Sequence, residues 1–372
     1  PSFIDLYSSY GIPEAKKAER SARRVQQFNS KKEGAYGWNQ ALKPEFRAHE
    51  NFSTDDKAAK KYRAAGFGTV MTHQADGISR GTATLVTLGE DTEHQVILKE
   101  ETAHILSFKK GTSPQSYPGS LMGGIALLRQ TYLDANWYKS GGKNKELNLS
   151  LEAWNEISSL PAIFDVREKL EGLRAAKLGK EFGVKYILKG NGDEYQRLNE
   201  LKATGCSMIL PVKFPDAFDV EDPYDAMLVS LAQMKHWELA PTNLSRIAKA
   251  GIEFTLTTDG LDKKSDFLKN VKKTFPHGCS DGADHRNKCF CECSKCCSEI
   301  NRAASRYDER DETEHRYEER SESRCTTRAA NRCTTRAASR CTTRAANRCT
   351  PRAASRCTTR AANRCTPRAA NR

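Results

Sequence analysis

Beyond Val271 the chain has no leucine, valine, methionine or tryptophan. A stretch of that composition cannot bury enough apolar surface to offset the entropy of ordering it. The part able to fold is therefore about residues 1–274 of the 372. Cysteine is almost missing from that part, since only Cys206 of the 13 precedes Cys279. One thiol excludes a disulfide framework and leaves the redox compartment open. No apolar run approaches the roughly 18–20 residues of a membrane-spanning helix. There is no His-x-His pair and no His-Glu-x-x-His, and no Ser–His–Asp or Cys–His arrangement is legible from spacing. The glycines of Lys189-Gly190-Asn191-Gly192 lack the spacing of a phosphate loop and fit a strand-to-helix turn. No leader is visible; the chain opens inside a motif and its first methionine is Met71, so it is read as a fragment of undetermined compartment.

The formal charge of +13 has one source. Residues 324–372 hold 13 arginines and no acid, which leaves the preceding residues formally neutral. A basic balance points to polyanions, and here that inference applies to the tail alone. The foldable part is long enough for one large α/β domain; a complete eight-fold barrel takes roughly 250 residues.

Apolar periodicity gives a strand at residues 2–6, a surface helix at 14–28, an aromatic-rich loop at 35–52 and a helix from Thr54-Asp55-Asp56 to Gly66. A strand at 68–72 and a polar loop at 74–81 follow. Residues 82–108 alternate as strands do and are expected to form a β insertion beside that loop. Ser120 opens a helix with Leu121, Ile125, Leu128 and Tyr132 on one face. From residue 150 strands and helices alternate: helix 151–160, strand 162–166, helix 167–182, strand 185–188, helix 193–204, strand 207–211, helices 224–237 and 244–250, strand 252–257. Such alternation predicts a parallel sheet with crossover helices. Periodicity alone does not separate a barrel from a doubly wound sheet.

Several segments, in order, carry a resemblance. Phe3-Ile4-Asp5-Leu6-Tyr7-Ser8-Ser9-Tyr10-Gly11 resembles the F-I-D-x-H-x-H-x-G motif that opens the amidohydrolase barrel. Trp38-Asn39-Gln40-Ala41-Leu42-Lys43-Pro44-Glu45 is similar to a stretch of the imidazolonepropionase-like amidohydrolases. Gly66–Val70 with Gly77–Gly81, Leu160–Asp165, Lys180–Gly183 and Gly251–Gly260 match later parts of the same pattern. The resemblance covers about residues 1–274 and implies a (β/α)8 TIM-barrel-type metal-dependent hydrolase fold, incomplete; the composition of the residues beyond it adds the expectation of a disordered C-terminal tail. It also implies hydrolysis of C–N bonds in amides and cyclic amides, with a divalent metal such as zinc lowering the pKa of a bound water.

The residues depart from that pattern where metal would bind. Tyr7 and Ser9 stand in place of the first two histidines. Asp165 takes the mid-barrel histidine position, and Lys189 places an ammonium at the end of the next strand. Asp259 alone keeps the family residue, as metal ligand and base. Two readings follow. In one, Asp165, Lys189 and Asp259 form an unusual catalytic site. In the preferred one, Asp165 and Lys189 form an ion pair, Asp259 caps the following helix, and the domain is a pseudoenzyme, a scaffold for an active amidohydrolase domain or a second copy. His73, His94, His104 and His236 stand alone and read as structural or surface residues.

The remaining residues divide at 323. Residues 275–323 are Cys-rich, then charged, with His285, Cys289, Cys291, Cys293, Cys296 and Cys297 as candidate thiolate-site ligands for a metal. Residues 324–372 repeat an Arg/Cys octapeptide that fits no common solenoid. A shifted reading frame through a short nucleotide repeat produces such a tail, and that is the preferred account. A genuine tail would instead make metal or polyanion binding, nucleic acid included, the alternative function.

Overall fold

The computed structural model describes residues 2–15, 26–144 and 146–274. Two units divide the chain, Pro1–Cys297 and Ser298–Arg372, and the second has no described residue. The expected surface helix at 14–28 falls largely outside the described residues, as do the cysteine cluster and the octapeptide repeat.

Eight strands form one sheet in sequence order: β1 (Phe3–Ser8), β2 (Phe67–Thr72), β3 (Ser79–Thr87), β4 (Ile97–Ser107), β5 (Ala162–Asp165), β6 (Tyr186–Lys189), β7 (Met208–Pro211) and β8 (Phe254–Thr257). The helices are α1 (Asp56–Ala64), α2 (Glu93–Val96), α3 (Leu121–Lys139), α4 (Leu149–Ile157), α5 (Lys169–Phe182), α6 (Leu198–Thr204), α7 (Pro223–Leu228), α8 (Leu231–Leu239), α9 (Asn243–Ala250) and α10 (Asp266–Thr274). Local chemistry sets many of their ends. Asp55 and Ser120 accept hydrogen bonds from the first-turn amides of α1 and α3, while Gly183, Gly205 and Gly251 end α5, α6 and α9 in the left-handed conformation. The expected single helix at 224–237 is two, broken where Ser230 makes a capping box with Gln233.

The β strands alternate between two apolar layers. Val70, Leu106, Phe164, Leu188 and Leu210 face outward, where they pack with helix residues such as Leu127, Trp154, Leu178 and Ile247. Their neighbours Met71, Ile105, Ile163, Ile187 and Ile209 join Tyr7, Ala83 and Ala103 in an inner layer. A sheet buried on both faces needs near-continuous apolar strands, and these short runs supply them.

Residues 82–108, expected as a β insertion beside the loop at 74–81, supply most of β3 and β4 with α2 between them, and both strands are full members of the sheet. β3 runs antiparallel to both neighbours while the remaining adjacent pairs are parallel. The cause is connection length. A parallel crossover needs about a dozen residues or more, and only residues 73–78 separate β2 from β3. The chain must therefore turn back, so the second βα unit of a regular (β/α)8 pattern is replaced by an antiparallel strand.

β1 and β8 end the strand order, and a buried carboxylate fastens them. Asp5 Oδ1 accepts from Thr257 Oγ1 at 2.7 Å, and Asp5 Oδ2 accepts from Thr258 N at 3.0 Å and Thr258 Oγ1 at 2.6 Å. Asp5 is fully buried, and burial raises its pKa against those hydrogen bonds. Asp5→Ala removes the acceptor of these three donors and of Tyr7 N, and is expected to cost about 2 kcal/mol, read as a lowered urea midpoint. An unchanged midpoint would mean the β1–β8 junction holds without it.

Candidate functional site

The parallel strands β1, β2 and β4–β8 deliver their C-terminal ends to one rim of the sheet. β3, being antiparallel, begins there. A cluster of charged and aromatic side chains occupies this rim: Tyr7 from β1, His73 after β2, Arg80 from β3, Lys109 after β4, Asp165 from β5, Lys189 from β6 and Asp259 after β8.

Arg80 reaches the cluster through a backbone irregularity. Ala83 and Leu85 of β3 face the inner layer, so in a regular strand Arg80, an odd number of residues away, would face outward. The β3–β4 register shifts between Ser79 and Thr82, and Gly81 between them has φ of 74°. Such a bulge re-aims a side chain. Gly81 is needed both for that φ and because a Cβ there would meet the Phe46 carbonyl oxygen.

Arg80, with its side chain 2% exposed, donates from Nη1 to Tyr7 Oη at 2.8 Å and from Nη2 to Asp165 Oδ2 at 2.9 Å. Lys189 Nζ lies 2.5 Å from Asp259 Oδ2 and 3.6 Å from Asp165 Oδ1, and 5.0 Å from the centre of the Tyr7 ring. Lys109 Nζ approaches Asp165 at 3.9 Å from the solvent side. Burial alone would raise the Asp165 pKa, but Arg80, Lys189 and Lys109 outweigh it and hold the carboxyl below its usual range. Burial pushes the Tyr7 phenol up despite the charge of Arg80, so Tyr7 stays protonated.

His73 is the unexpected member. It is fully buried, its ring centre lies 4.3 Å from that of Tyr7, and neither ring nitrogen has a hydrogen-bond partner. Burial, aided by the Arg80 charge, pushes its pKa down to about 3, so the ring is neutral.

Of the positions singled out in the sequence, Tyr7, Asp165, Lys189 and Asp259 come together. Ser9 does not; its side chain is exposed, and the buried hydroxyl is that of Ser8, which pairs with Tyr62 Oη at 2.9 Å. Asp259 does not cap a helix, because α10 begins only at Asp266 and the carboxylate is held by Lys189. Arg80 was legible only as part of a glycine loop, Gly77–Gly81, and nothing in the sequence signals that it turns inward.

The same loop carries a match that spacing alone does reveal, since Gly77-Ile78-Ser79-Arg80-Gly81 has Gly-x-Ser-x-Gly spacing. Ser79 Oγ lies 3.0 Å from His104 Nε2. The expectation that the chain has no Gly-x-Ser-x-Gly is therefore corrected, and a serine and a histidine do meet here, with no Asp among the described residues completing a triad. The pair nevertheless lacks the features of a nucleophile. Ser79 is completely buried at the start of a strand, not on a strand–turn–helix elbow, and His104 packs edge-on against Trp154 in the outer layer. The remaining histidines are placed as the sequence implies: His94 is exposed, and His236 Nδ1 lies 3.1 Å from Tyr195 Oη.

The residues at the rim do not suit a divalent metal. Three cationic side chains surround two carboxylates, the phenol is protonated, and Asp165 is already satisfied by cations. Among the described residues, no group of three or more His, Cys, Asp or Glu side chains is arranged to hold a metal ion. A separate cleft of about 540 Å³ lies beside Asn39, Lys43, Arg47, Thr112 and Ser113, and none of the rim residues lines it.

No family model matches the chain, and no curated protein does. Among solved structures, an amidohydrolase from Thermotoga maritima is similar over 76% of this chain and 71% of its own, with a TM-score of 0.55 and 16% identity. A prolidase crystallised with N-methylphosphonate-L-proline covers 74% of this chain and 70% of its own at 10% identity, but its TM-score of 0.32 carries no weight. The first likeness is one of fold: this chain and that amidohydrolase share an α/β architecture, here with an eight-stranded, mostly parallel sheet.

Proposed function

We propose that this domain derives from the amidohydrolases, specifically the imidazolonepropionase-like group, and that it has exchanged the metal centre for an internal ion network. One observation carries the proposal. The Lys189 ammonium stands between Asp165 and Asp259, where it supplies the positive charge that a bound cation would bring in a metal-dependent relative. An ammonium so placed neutralises both carboxylates but offers no open coordination position and no activated water. The domain then serves as a non-catalytic scaffold or binding module, for an active amidohydrolase domain or for a second copy. Motifs quoted from the opening segment, the Trp38–Glu45 stretch and Gly251–Gly260 support the ancestry; the α/β fold shared with an amidohydrolase is consistent with it. Metal or polyanion binding through the tail is the other function the sequence raises, and it rests on residues outside the described ones.

The test is elemental analysis of the full chain purified with zinc, iron and manganese supplied, alongside assays on amide and cyclic-amide substrates. The expected result is no metal that depends on Asp259 and no hydrolysis above background. Metal bound stoichiometrically and lost in Asp259→Ala, with hydrolysis lost alongside it, would overturn the proposal. Metal retained in Asp259→Ala would belong to the cysteines of the tail.

A further inference from the structure

Helices α7 and α8 expose an apolar stripe that nothing described in the chain covers. Tyr224, Met227 and Leu228 are 79%, 81% and 80% exposed, and Leu231, Met234 and Trp237 continue the stripe on α8. Their spacing, i, i+3, i+4 on α7 and i, i+3, i+6 on α8, puts each set on one helical face. Neither helix contains a buried residue. Isolated helices this short are marginal, and amphipathic helices are normally held by packing of their apolar face. Here local caps hold them instead: Asp222 accepts from Tyr224 N, Ser230 and Gln233 form a capping box, and His236 rests on Tyr195 with ring centres 6.0 Å apart. An apolar face of this size on capped helices marks an interaction surface.

Charge identifies the occupant. Residues 214–239, through the end of α8, contain Asp216, Asp219, Glu221, Asp222, Asp225 and Glu238 against a single cation, Lys235. The acids lie just before α7 and on it, and this net negative flank beside the apolar stripe repels anionic lipid. A second copy docked through the same face would bring these acids against their own counterparts. The residues after Val271 offer arginine but no leucine, valine or methionine to fill the stripe. The complementary surface is an apolar helix face bordered by lysine or arginine. We propose that the α7–α8 surface is a docking site for a basic amphipathic helix of a partner protein. The two methionines suit such a role, because flexible thioethers adapt to different apolar partners.

The full chain is titrated against a fluorescent Leu/Lys helical peptide and against the same peptide with serine in place of leucine. Saturable binding of the first and not the second is expected. The triple variant Met227→Ser, Leu228→Ser, Leu231→Ser should weaken binding by roughly tenfold or more. A second variant, Asp219→Asn, Glu221→Gln, Asp225→Asn, should weaken it and flatten its salt dependence. These residues are exposed, and circular dichroism of each variant should match the parent. Binding that is equal for both peptides, or unchanged in both variants, overturns the proposal. So does a dimer of the full chain that the serine variant dissociates, which assigns the face to a second copy. Adsorption to phosphatidylserine vesicles that the serine variant abolishes assigns it to a membrane and overturns the proposal likewise.

Discussion

Arg80→Ala is expected to destabilise the protein by roughly 3–5 kcal/mol, the cost of removing one partner from a buried ion pair. The guanidinium is almost wholly enclosed and serves three acceptors, Tyr7 Oη and Asp165 Oδ2 through its two Nη groups and the Gly77 carbonyl through Nε. Without it, Asp165 keeps only Lys189 at 3.6 Å and the more exposed Lys109 at 3.9 Å, and Tyr7 loses its donor. Arg80→Lys keeps the charge but lacks the planar fork that reaches these acceptors at once, so an intermediate loss is expected. Arg80→Met combined with Asp165→Leu should recover part of the loss, because replacing both partners by apolar groups leaves no orphaned charge. Denaturant unfolding of the set checks this. A loss below about 1 kcal/mol in Arg80→Ala would mean that the rim network contributes no more than a surface ion pair.

The second large effect is acid lability centred on His73. Its native pKa of about 3 lies below the ordinary value of 6.5. Between those two values the unfolded chain binds more protons than the native one, so stability falls as pH drops through that window. One pKa unit corresponds to about 1.4 kcal/mol, so a gap of this size makes His73 a large part of the acid sensitivity. His104, pushed down to about 3 by burial and by Arg47, acts in the same direction. Asp165 adds stability that is present above the usual carboxylate pKa and is lost as pH falls toward its lower native value. His73→Leu removes two unpartnered ring nitrogens and should raise stability at pH 7 while moving the acid midpoint down. His104→Leu should do less at pH 7, because it also sacrifices the bond to Ser79. A His73 ring that titrates near 6.5 by NMR would contradict the enclosure on which this rests.

Together these predictions describe a rim whose charges are satisfied by one another. In a metal hydrolase, the ends of barrel strands hold ligands apart around an open coordination position. Here Arg80 and Lys189 bring the carboxylates to rest against ammonium and guanidinium groups. Tyr7 belongs to the same network, since its buried phenol needs a hydrogen-bond partner and Arg80 provides one.

Much of the element order was legible in the chain because its causes are local. Short continuous apolar runs in Ala162–Asp165 and Met208–Pro211, helix caps at Asp55 and Ser120, and terminal glycines at 183 and 251 act within a few residues of themselves. Tyr7, Asp165, Lys189 and Asp259 could also be named from the motifs, since strand ends in such a sheet converge on one rim. What the sequence left open depends on contacts between distant residues. Residues 82–108 have strand periodicity whether they form an insertion beside the loop at 74–81 or part of the main sheet; only the pairing of Ala83 with Ala103 and of Val70 with Val86 decides that they are members. Ser9 stands at a ligand position by count, yet the backbone after β1 turns it to solvent. Arg80 enters the rim because β3 is reversed and bulged at Gly81, and His73 is left without partners because its neighbours are already paired. Local periodicity and capping act over one or two turns of chain and are written in the sequence itself. Strand direction, register and the partners of buried charges are set by the closest packing of the whole sheet, so only the tertiary structure could decide them.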